Sequence, residues 1–110
     1  MLRKIECFLN PSSLESLRDL LVKTGIEGMS FAEVQGFGMR SKKDKNGKPV
    51  LERRIKVEIV TPERRVEEII REIKTLAGQG EIGQGILFVV PVEDALRVST
   101  REVGTSAVRR

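Results

Sequence analysis

The strongest constraint on the fold is an alternation of apolar and charged residues in the middle of the chain. Ile55, Val57 and Ile59 are separated by a lysine and a glutamate, and this two-residue period predicts a half-buried strand. A strand with one apolar face lies in a sheet whose apolar face is covered by other parts of the chain. The sequence therefore predicts a sheet packed on one side, and the neighbouring segments indicate what covers it.

An apolar stripe with helical spacing follows this strand. Thr61 and Pro62 are predicted to be the N-cap and the first residue of a helix, and Gly78 is predicted to end it. The stripe consists of Val66, Ile69, Ile70, Ile73 and Leu76. We expect this helix face to pack on the sheet.

The first half of the chain has the same order of strand and helix. Alternation over residues 4–9 predicts a strand, and a second strand is predicted over residues 29–37. Between them, Ser12 and Glu15 form a capping-box signature, and Gly25 stands where a helix C-terminal glycine is expected. The apolar stripe of this helix consists of Leu14, Leu17, Leu20 and Leu21.

The end of the chain completes the pattern. A buried strand is predicted over Ile86–Val92 and a short strand over Leu96–Val98. The fold class is therefore α+β, a ferredoxin-like βαββαβ sandwich with two helices on one face of an antiparallel sheet. We expect one domain over residues 1–110 with a short C-terminal tail at residues 101–110. Two helices leave the other sheet face open, and we expect oligomerisation to cover it.

Composition excludes several kinds of site. Cys7 is the only cysteine and histidine is absent, which excludes an internal disulfide, a conventional zinc site and a histidine-based catalytic triad. Cys7 lies in a strand pattern and is predicted to be a buried apolar residue. With no nucleophile–base pair or metal-ligand cluster in the sequence, we expect a non-catalytic protein without a catalytic cofactor. The longest apolar run, residues 86–90, is too short to cross a bilayer, and a cytoplasmic location is expected.

Positive charge is concentrated in one segment. The net charge of the chain is +4, and residues 39–54 alone carry a charge of +5, so the rest of the chain is close to neutral. Its basic residues are Arg40, Lys42, Lys43, Lys45, Lys48, Arg53 and Arg54. Asn46-Gly47 and Pro49 are turn signals, so a mobile loop that binds a partner is predicted over residues 39–54. The alternative is a nucleic-acid-binding module, although no aromatic residue that stacks on bases accompanies the lysines.

Two glycine-rich segments are candidate sites. Gly36-Phe37-Gly38 is either turn punctuation or part of an RNA-recognition motif, and the aromatic residues that such a motif needs next are absent. Residues 80–85 lack the lysine and hydroxyl residue of a P-loop. Their backbone N–H groups suit a phosphate, or the segment is only a connection between a helix and a strand.

Together these segments resemble the P-II family of nitrogen-regulatory signalling proteins. The similar stretches are residues 4–6, 24–29, 33–38, 55–60, 80–86 and 91–93, in the family's order. The resemblance implies a cytoplasmic homotrimer with clefts between subunits in which ATP and ADP compete, often together with 2-oxoglutarate. It also implies that the long loop, the T-loop of the family, regulates a partner protein, either a membrane transporter or a metabolic enzyme.

By correspondence with the family, ten residues bind the adenine nucleotide. Phe8, Ser30, Gly36, Phe37, Gly38 and Val60 would line one side of the cleft, Gly83, Gln84 and Gly85 would surround the phosphates, and Arg97 would reach in from the C-terminal strand. These roles are implied by the resemblance alone.

The sequence departs from the family at positions that bind phosphate and magnesium. Met39 and Arg40 replace an Arg-Gln pair whose glutamine helps to bind magnesium and 2-oxoglutarate, so a role for magnesium stays open. Ile86 replaces a phosphate-binding lysine, and Ser99 replaces a second arginine. The loss of two cations would cost roughly 3–6 kcal/mol of binding free energy. A less charged ligand, ADP or AMP, is therefore favoured over ATP.

Overall fold

In this computed structural model, the described residues are 1–26, 28–38, 41–78 and 86–108. The strands and helices are β1 (Leu2–Leu9), α1 (Leu14–Thr24), β2 (Ser30–Gly36), β3 (Glu52–Pro62), α2 (Val66–Gly78) and β4 (Ile86–Val92). Short 3₁₀ segments occupy Pro11–Ser13, Glu63–Arg65 and Gly104–Val108. The predicted order of strands and helices, and with it the ferredoxin-like arrangement, is confirmed.

The four strands form one antiparallel sheet in the order β2-β3-β1-β4. At its centre β1 and β3 place Ile5 opposite Ile59, Cys7 opposite Val57 and Leu9 opposite Ile55. Residues directly opposite one another point to the same face, so these side chains form one apolar surface. None of them is more than 3% exposed.

The two helices cover this surface as predicted. Leu17 and Leu21 of α1 and Ile69 and Ile73 of α2 belong to the same buried cluster as the strand residues. Cys7 lies within that cluster, and burial raises the pKa of its thiol to about 11. The prediction that Cys7 is a buried apolar residue is confirmed.

The predicted C-terminal glycine of α1 is also confirmed. Gly25 has a φ of 85°, which favours glycine. Its N–H donates to the carbonyl of Val22 at 3.1 Å, and the N–H of Ile26 donates to the carbonyl of Leu21 at 2.9 Å. This pair of bonds is a Schellman motif, and Ile26 packs against the core beyond it.

Arg65 connects the start of α2 to the end of α1. Its guanidinium donates to the carbonyl of Thr24 at 2.7 Å and to the carbonyl of Gly25 at 3.1 Å. It also contacts the carboxylate of Glu68 at 3.1 Å. A cation at a helix C-terminus satisfies carbonyls that have no partner within the helix. Arg65 therefore fixes the relative position of the two helices.

The predicted starts of both helices are wrong. Ser12 lies inside a 3₁₀ turn, and no N-cap side chain makes a capping hydrogen bond at the start of that turn or of α1. Thr61 is a buried residue of β3, 3% exposed, and Pro62 is the last residue of that strand. The reason is the pairing with β1, which continues as far as Leu2 opposite Pro62 and keeps Thr61 in the sheet.

Two predictions about the end of the chain are also corrected. β4 has the predicted bounds, but it is an edge strand and is not buried, with Ile86 55% and Phe88 47% exposed. A continuous apolar run is equally compatible with an edge strand that packs against another chain. The predicted strand at Leu96–Val98 is replaced by a single bridge between Leu96 and Val103.

The sheet face opposite the helices carries a charged quartet: Lys4 and Glu6 of β1, and Lys56 and Glu58 of β3. The Nζ of Lys4 lies 3.2 Å from Glu58 and 3.4 Å from Glu6, and the Nζ of Lys56 lies 3.2 Å from Glu6 and 3.6 Å from Glu58. The hydrogen bond to Glu58 raises the pKa of Lys4, and the hydrogen bond from Lys56 lowers the pKa of Glu6. No helix of the described residues covers this open face, as predicted.

Replacement of Arg65 by alanine tests the connection between the helices. Arg65→Ala is expected to lower the free energy of unfolding by about 1–3 kcal/mol, because carbonyls and a carboxylate lose their charged donor. Arg64→Ala is the matched control, since Arg64 is exposed and forms no hydrogen bond or ion pair with a described residue. Its effect is expected to stay within about 0.5 kcal/mol. Urea unfolding measures both variants, and equal midpoints would contradict the role given to Arg65.

The charged quartet predicts a specific pH dependence. The pKa of Glu6 in the folded chain is below its ordinary value of 4.5, so the ionised carboxylate stabilises the fold above that value. This contribution is lost as the pH falls through the folded-state pKa. We expect wild type to be more stable than Glu6→Gln at neutral pH, and the difference to shrink between about pH 5 and about pH 3.

Urea midpoints of wild type and Glu6→Gln across that pH range measure the effect. Glu93→Gln serves as the control, because Glu93 is exposed and has no ion-pair partner among the described residues. A stability difference between wild type and Glu6→Gln that stays constant with pH would refute the proposed contribution.

Candidate functional site

Seven of the predicted nucleotide residues lie in the described parts of the chain. They are Phe8, Ser30, Gly36, Phe37, Gly38, Val60 and Arg97. Gly83, Gln84 and Gly85 lie outside the described residues, as does Arg40 of the predicted loop.

Four of these residues belong to the open face of the sheet. Ser30 and Gly36 are the first and last residues of β2, Val60 lies on β3, and Phe8 lies on β1. The ring of Phe8 packs edge-to-face against Phe88 of β4, with ring centroids 6.4 Å apart and an interplanar angle of 88°. The open face therefore combines the charged quartet with apolar side chains toward β4.

Val60 and Arg97 line the same cavity. Its volume is about 1000 Å³, and it lies between the open face and the chain that follows β4. Lys4, Val60 and Val90 line it from the sheet, and Leu96 and Arg97 line it from the following segment. Its lining is mainly apolar and also includes one aspartate, Asp94, besides the lysine and the arginine, which suits a ligand that combines a flat apolar ring with polar groups.

A closed turn holds Arg97 beside this cavity. The backbone N–H of Arg97 donates to the carbonyl of Glu102 at 2.9 Å, and the N–H of Arg101 donates to the carbonyl of Arg97 at 2.7 Å. The N–H of Gly104 donates to the carbonyl of Ala95 at 3.0 Å. Arg101 takes a φ of 64°, which is uncommon for a residue other than glycine. The turn therefore fixes the backbone position from which the Arg97 side chain extends.

A second cavity of about 340 Å³ adjoins Val60 on the side of the helix ends. Arg64 and Arg65 line it from the start of α2, and Thr105 and Ser106 line it from the C-terminal 3₁₀ segment. We did not expect Lys4, Arg64 or these hydroxyl groups near the site from the sequence. Arg64 and Arg65 gave the one signal in the sequence. Basic residues at a helix start are unfavourable next to the positive end of the helix dipole, so a pair of them there indicates another role.

Gly36-Phe37-Gly38 lies at the other end of the β2–β3 pair. Gly36 is opposite Glu52, whereas Val60 lies eight residues further along β3. At about 3.3 Å per residue, this separation is about 26 Å. Within one chain, the Gly36–Gly38 segment and Arg97 are therefore not brought together.

Two hydrogen bonds join Gly38 and Ser41. The N–H of Gly38 donates to the Oγ of Ser41 at 2.8 Å, and the N–H of Ser41 donates to the carbonyl of Gly38 at 3.1 Å. Both partners are close to the aqueous surface, since Gly38 is exposed and Ser41 is half-buried. The Gly38 N–H is thus occupied by Ser41 in this conformation.

Residues 42–50 form a short hairpin, which we call the basic hairpin. The N–H of Val50 donates to the carbonyl of Lys42 at 2.8 Å, and the N–H of Asp44 donates to the carbonyl of Lys48 at 2.8 Å. The carboxylate of Asp44 accepts from the N–H of Asn46 at 2.8 Å and from the N–H of Lys48 at 3.0 Å. Such an Asx turn closes the tip where the sequence predicts a turn.

The basic residues of the predicted loop divide into two groups. Arg53 pairs with Glu33 at 3.3 Å, and Arg54 pairs with Glu52. The four lysines of the basic hairpin are exposed and form no ion pair with a described residue. The unpaired positive charge therefore lies at the tip of the loop.

The described residues offer neither a metal site of the usual kind nor a membrane-spanning helix. No group of three or more acidic, cysteine or histidine residues is arranged to hold a metal ion within residues 1–26, 28–38, 41–78 and 86–108. Over the same ranges, no helix is long and apolar enough to cross a membrane.

Comparison with known proteins identifies the family. The family model described as nitrogen regulatory protein P-II matches residues 2–102. The P-II protein of Nostoc punctiforme is 35% identical over 112 residues, covering 97% of this chain and 100% of the relative. That of Haemophilus influenzae is 34% identical over 117 residues, with the same coverage.

A solved structure agrees with the sequence matches. The structure of B. subtilis GlnK aligns with a TM-score of 0.80 at 26% identity, covering 96% of this chain and 97% of that chain. The family model, the relatives and the fold agree over nearly the whole chain. The resemblance seen in the sequence is confirmed, and the chain belongs to the nitrogen regulatory protein P-II family.

Proposed function

We propose that this protein is a non-catalytic signalling protein that binds an adenine nucleotide in clefts between the subunits of a homotrimer. Through the loop of residues 39–54 it regulates a partner protein, either a membrane transporter or a metabolic enzyme. The observation that carries the proposal is the separation of about 26 Å, at about 3.3 Å per residue, between the Gly36–Gly38 segment and the cavity of Arg97.

This separation supports a cleft made by two chains. Phosphate groups are bound by backbone N–H groups and by cations together. The glycine segment would line one side of the cleft, and Arg97 would supply a cation, but the two lie toward opposite ends of one sheet. A second copy that brings its Arg97 to the glycine segment of the first completes the site. Repeated head-to-tail contacts of this kind close into a ring, for which three copies suffice.

The exposed apolar side chains of the open face support the same assembly. Ile86 and Phe88 of β4 are 55% and 47% exposed, and Leu96 and Val98 beyond it are 61% and 86% exposed. A contiguous apolar surface of this kind is unfavourable in water and marks an interaction site. Burial of this surface between subunits leaves the charged quartet near the centre of the assembly.

The ligand chemistry favours a nucleotide with few phosphates. Ile86, where the family has a lysine, lies opposite Phe8 and extends an apolar wall, and Ser99 supplies a neutral hydroxyl. Arg97 is then the main cation that the proposal assigns to the phosphates. We therefore propose ADP or AMP as the preferred ligand over ATP.

The hydrogen bond between Gly38 and Ser41 provides a route from the ligand to the loop. A phosphate that accepts a hydrogen bond from the Gly38 N–H competes with the Oγ of Ser41 for that donor. Release of Ser41 changes the base of the loop that leads into the basic hairpin. A ligand shifts the loop in this way only to the extent that it binds the two loop conformations with different affinity.

Calorimetric titration with ATP, ADP and AMP, each with and without magnesium, tests the proposal. We expect saturable binding of ADP or AMP at about one ligand per subunit, and a trimer by sedimentation equilibrium. Arg97→Ala is expected to weaken binding by about tenfold to about a hundredfold, the equivalent of one charge-assisted hydrogen bond. Arg71→Ala is the control, because Arg71 is exposed on α2.

Two outcomes contradict the proposal at different points. The absence of binding at millimolar nucleotide would exclude the nucleotide function as a whole. Wild-type affinity in Arg97→Ala would leave nucleotide binding in place but remove Arg97 from the cleft. A monomer that binds nucleotide with full affinity would exclude the clefts between subunits.

A further inference from the structure

We propose that the basic hairpin docks on an anionic lipid surface, with its lysines at the head groups and the neighbouring apolar side chains at the acyl boundary. This extends the proposed function, because it names a partner for the same loop. It rests on that function only in treating the loop as a docking element, and it does not require a nucleotide.

The charge of the basic hairpin is unbalanced. Residues 42–50 contain Lys42, Lys43, Lys45 and Lys48 and one acidic residue, Asp44, which gives a net charge of +3. None of these lysines forms an ion pair with a described residue. The carboxylate of Asp44 is directed into the turn by the N–H groups of Asn46 and Lys48. The ammonium groups are therefore available to an external anion.

An apolar collar adjoins these lysines. We define it as Phe37, Val50 and Leu51, which are 65%, 40% and 61% exposed. Gly36 and Glu52 form the last residue pair of β2 and β3 on the side of the loop. Phe37 and Leu51 are therefore the first loop residues after each strand end. A cluster of ammonium groups beside exposed apolar side chains is the composition of a segment that lies in the interface of an anionic membrane.

The shape of the molecule allows the tip to reach a flat surface. The molecule measures 53 × 27 × 20 Å, and its radius of gyration is 15.7 Å. A compact domain of this length has a radius of gyration of about 13 Å. The basic hairpin continues the β2–β3 ribbon, in keeping with this elongated shape. The lysines can therefore contact a flat anionic surface while the helices and their carboxylates stay away from it.

The chemistry favours lipid over nucleic acid. Binding of a nucleic acid strand normally uses several aromatic rings that stack on successive bases, whereas the basic hairpin contains none and the apolar collar contains only Phe37. Arginine is the side chain suited to bidentate recognition of phosphate, yet Arg53 and Arg54 are already paired with carboxylates. Lysines act as point charges and place their methylene chains along an apolar boundary, which fits a lipid surface.

Co-sedimentation of the full-length protein with lipid vesicles tests the proposal. Vesicles of phosphatidylcholine alone are compared with vesicles that contain phosphatidylglycerol as well. We expect binding to the anionic vesicles only, and its loss when NaCl is raised from about 0.05 M to about 0.5 M.

Two pairs of variants separate the charged and apolar contributions. The double variant Lys43→Gln/Lys45→Gln is expected to lower the partition coefficient by about twenty-fivefold, at about fivefold per lysine. Its control is Lys23→Gln/Lys74→Gln, because both of these lysines are exposed on the helices. Leu51→Ser is expected to weaken binding, whereas Val22→Ser is the control at an exposed aliphatic residue of α1, 69% exposed. Urea unfolding confirms that each variant is folded.

Three outcomes would overturn the proposal. The first is that the protein binds neutral vesicles as tightly as anionic ones. The second is that Lys43→Gln/Lys45→Gln binds anionic vesicles as tightly as wild type. The third is that the protein binds a single-stranded oligonucleotide as tightly as anionic vesicles, with no weakening by Leu51→Ser. The last would assign the hairpin to nucleic acid. Nucleotide calorimetry on the same lysine variant separates the two proposals. If the lysine variant binds nucleotide normally but no longer binds vesicles, the lipid proposal is supported. If the wild-type protein binds no nucleotide, the proposed function fails, and the lipid proposal is unaffected.

Discussion

The pairing of β1 with β3 is the constraint on which the rest of the structure depends. With Cys7 opposite Val57, the apolar side chains of both strands lie on one face, and the two helices cover that face. The same register places Glu6 opposite Glu58 on the other face, where two lysines neutralise the carboxylates. A slip of one residue would move charged side chains into the core, so the alternation on both strands specifies the register strongly.

Local patterns in the sequence were sufficient for most of the fold. The period of Ile55, Val57 and Ile59 predicted β3, and Gly25 predicted the end of α1, because each depends on residues close in sequence. The predicted start of α2 was wrong because a contact with a residue distant in sequence decides it. Thr61 has the chemistry of an N-cap, but the partner strand reaches Leu2 opposite Pro62, and this pairing with burial in the sheet overrides the local preference.

The candidate site was less predictable for the same reason. That Val60 and Arg97 line one cavity depends on how the chain turns back after β4, and no local pattern specifies this turn. The glycine segment was recognisable, but its distance from Arg97 follows from the length of the β2–β3 pair. Patterns in the sequence identify the candidate parts of such a site, whereas the distance between the parts follows from the geometry of the sheet.

Lysines have opposite roles on the two sides of this molecule, and the difference lies in their partners. Lys4 and Lys56 each contact two carboxylates, so their charge is already used within the sheet. The lysines of the basic hairpin have no such partner among the described residues, so their favourable interactions are made only when an external anion arrives. Surface ion pairs contribute little to stability, whereas several unpaired charges at one tip act together on an oppositely charged surface. The excess positive charge of the chain therefore bears on the proposed docking of the loop and not on the stability of the fold.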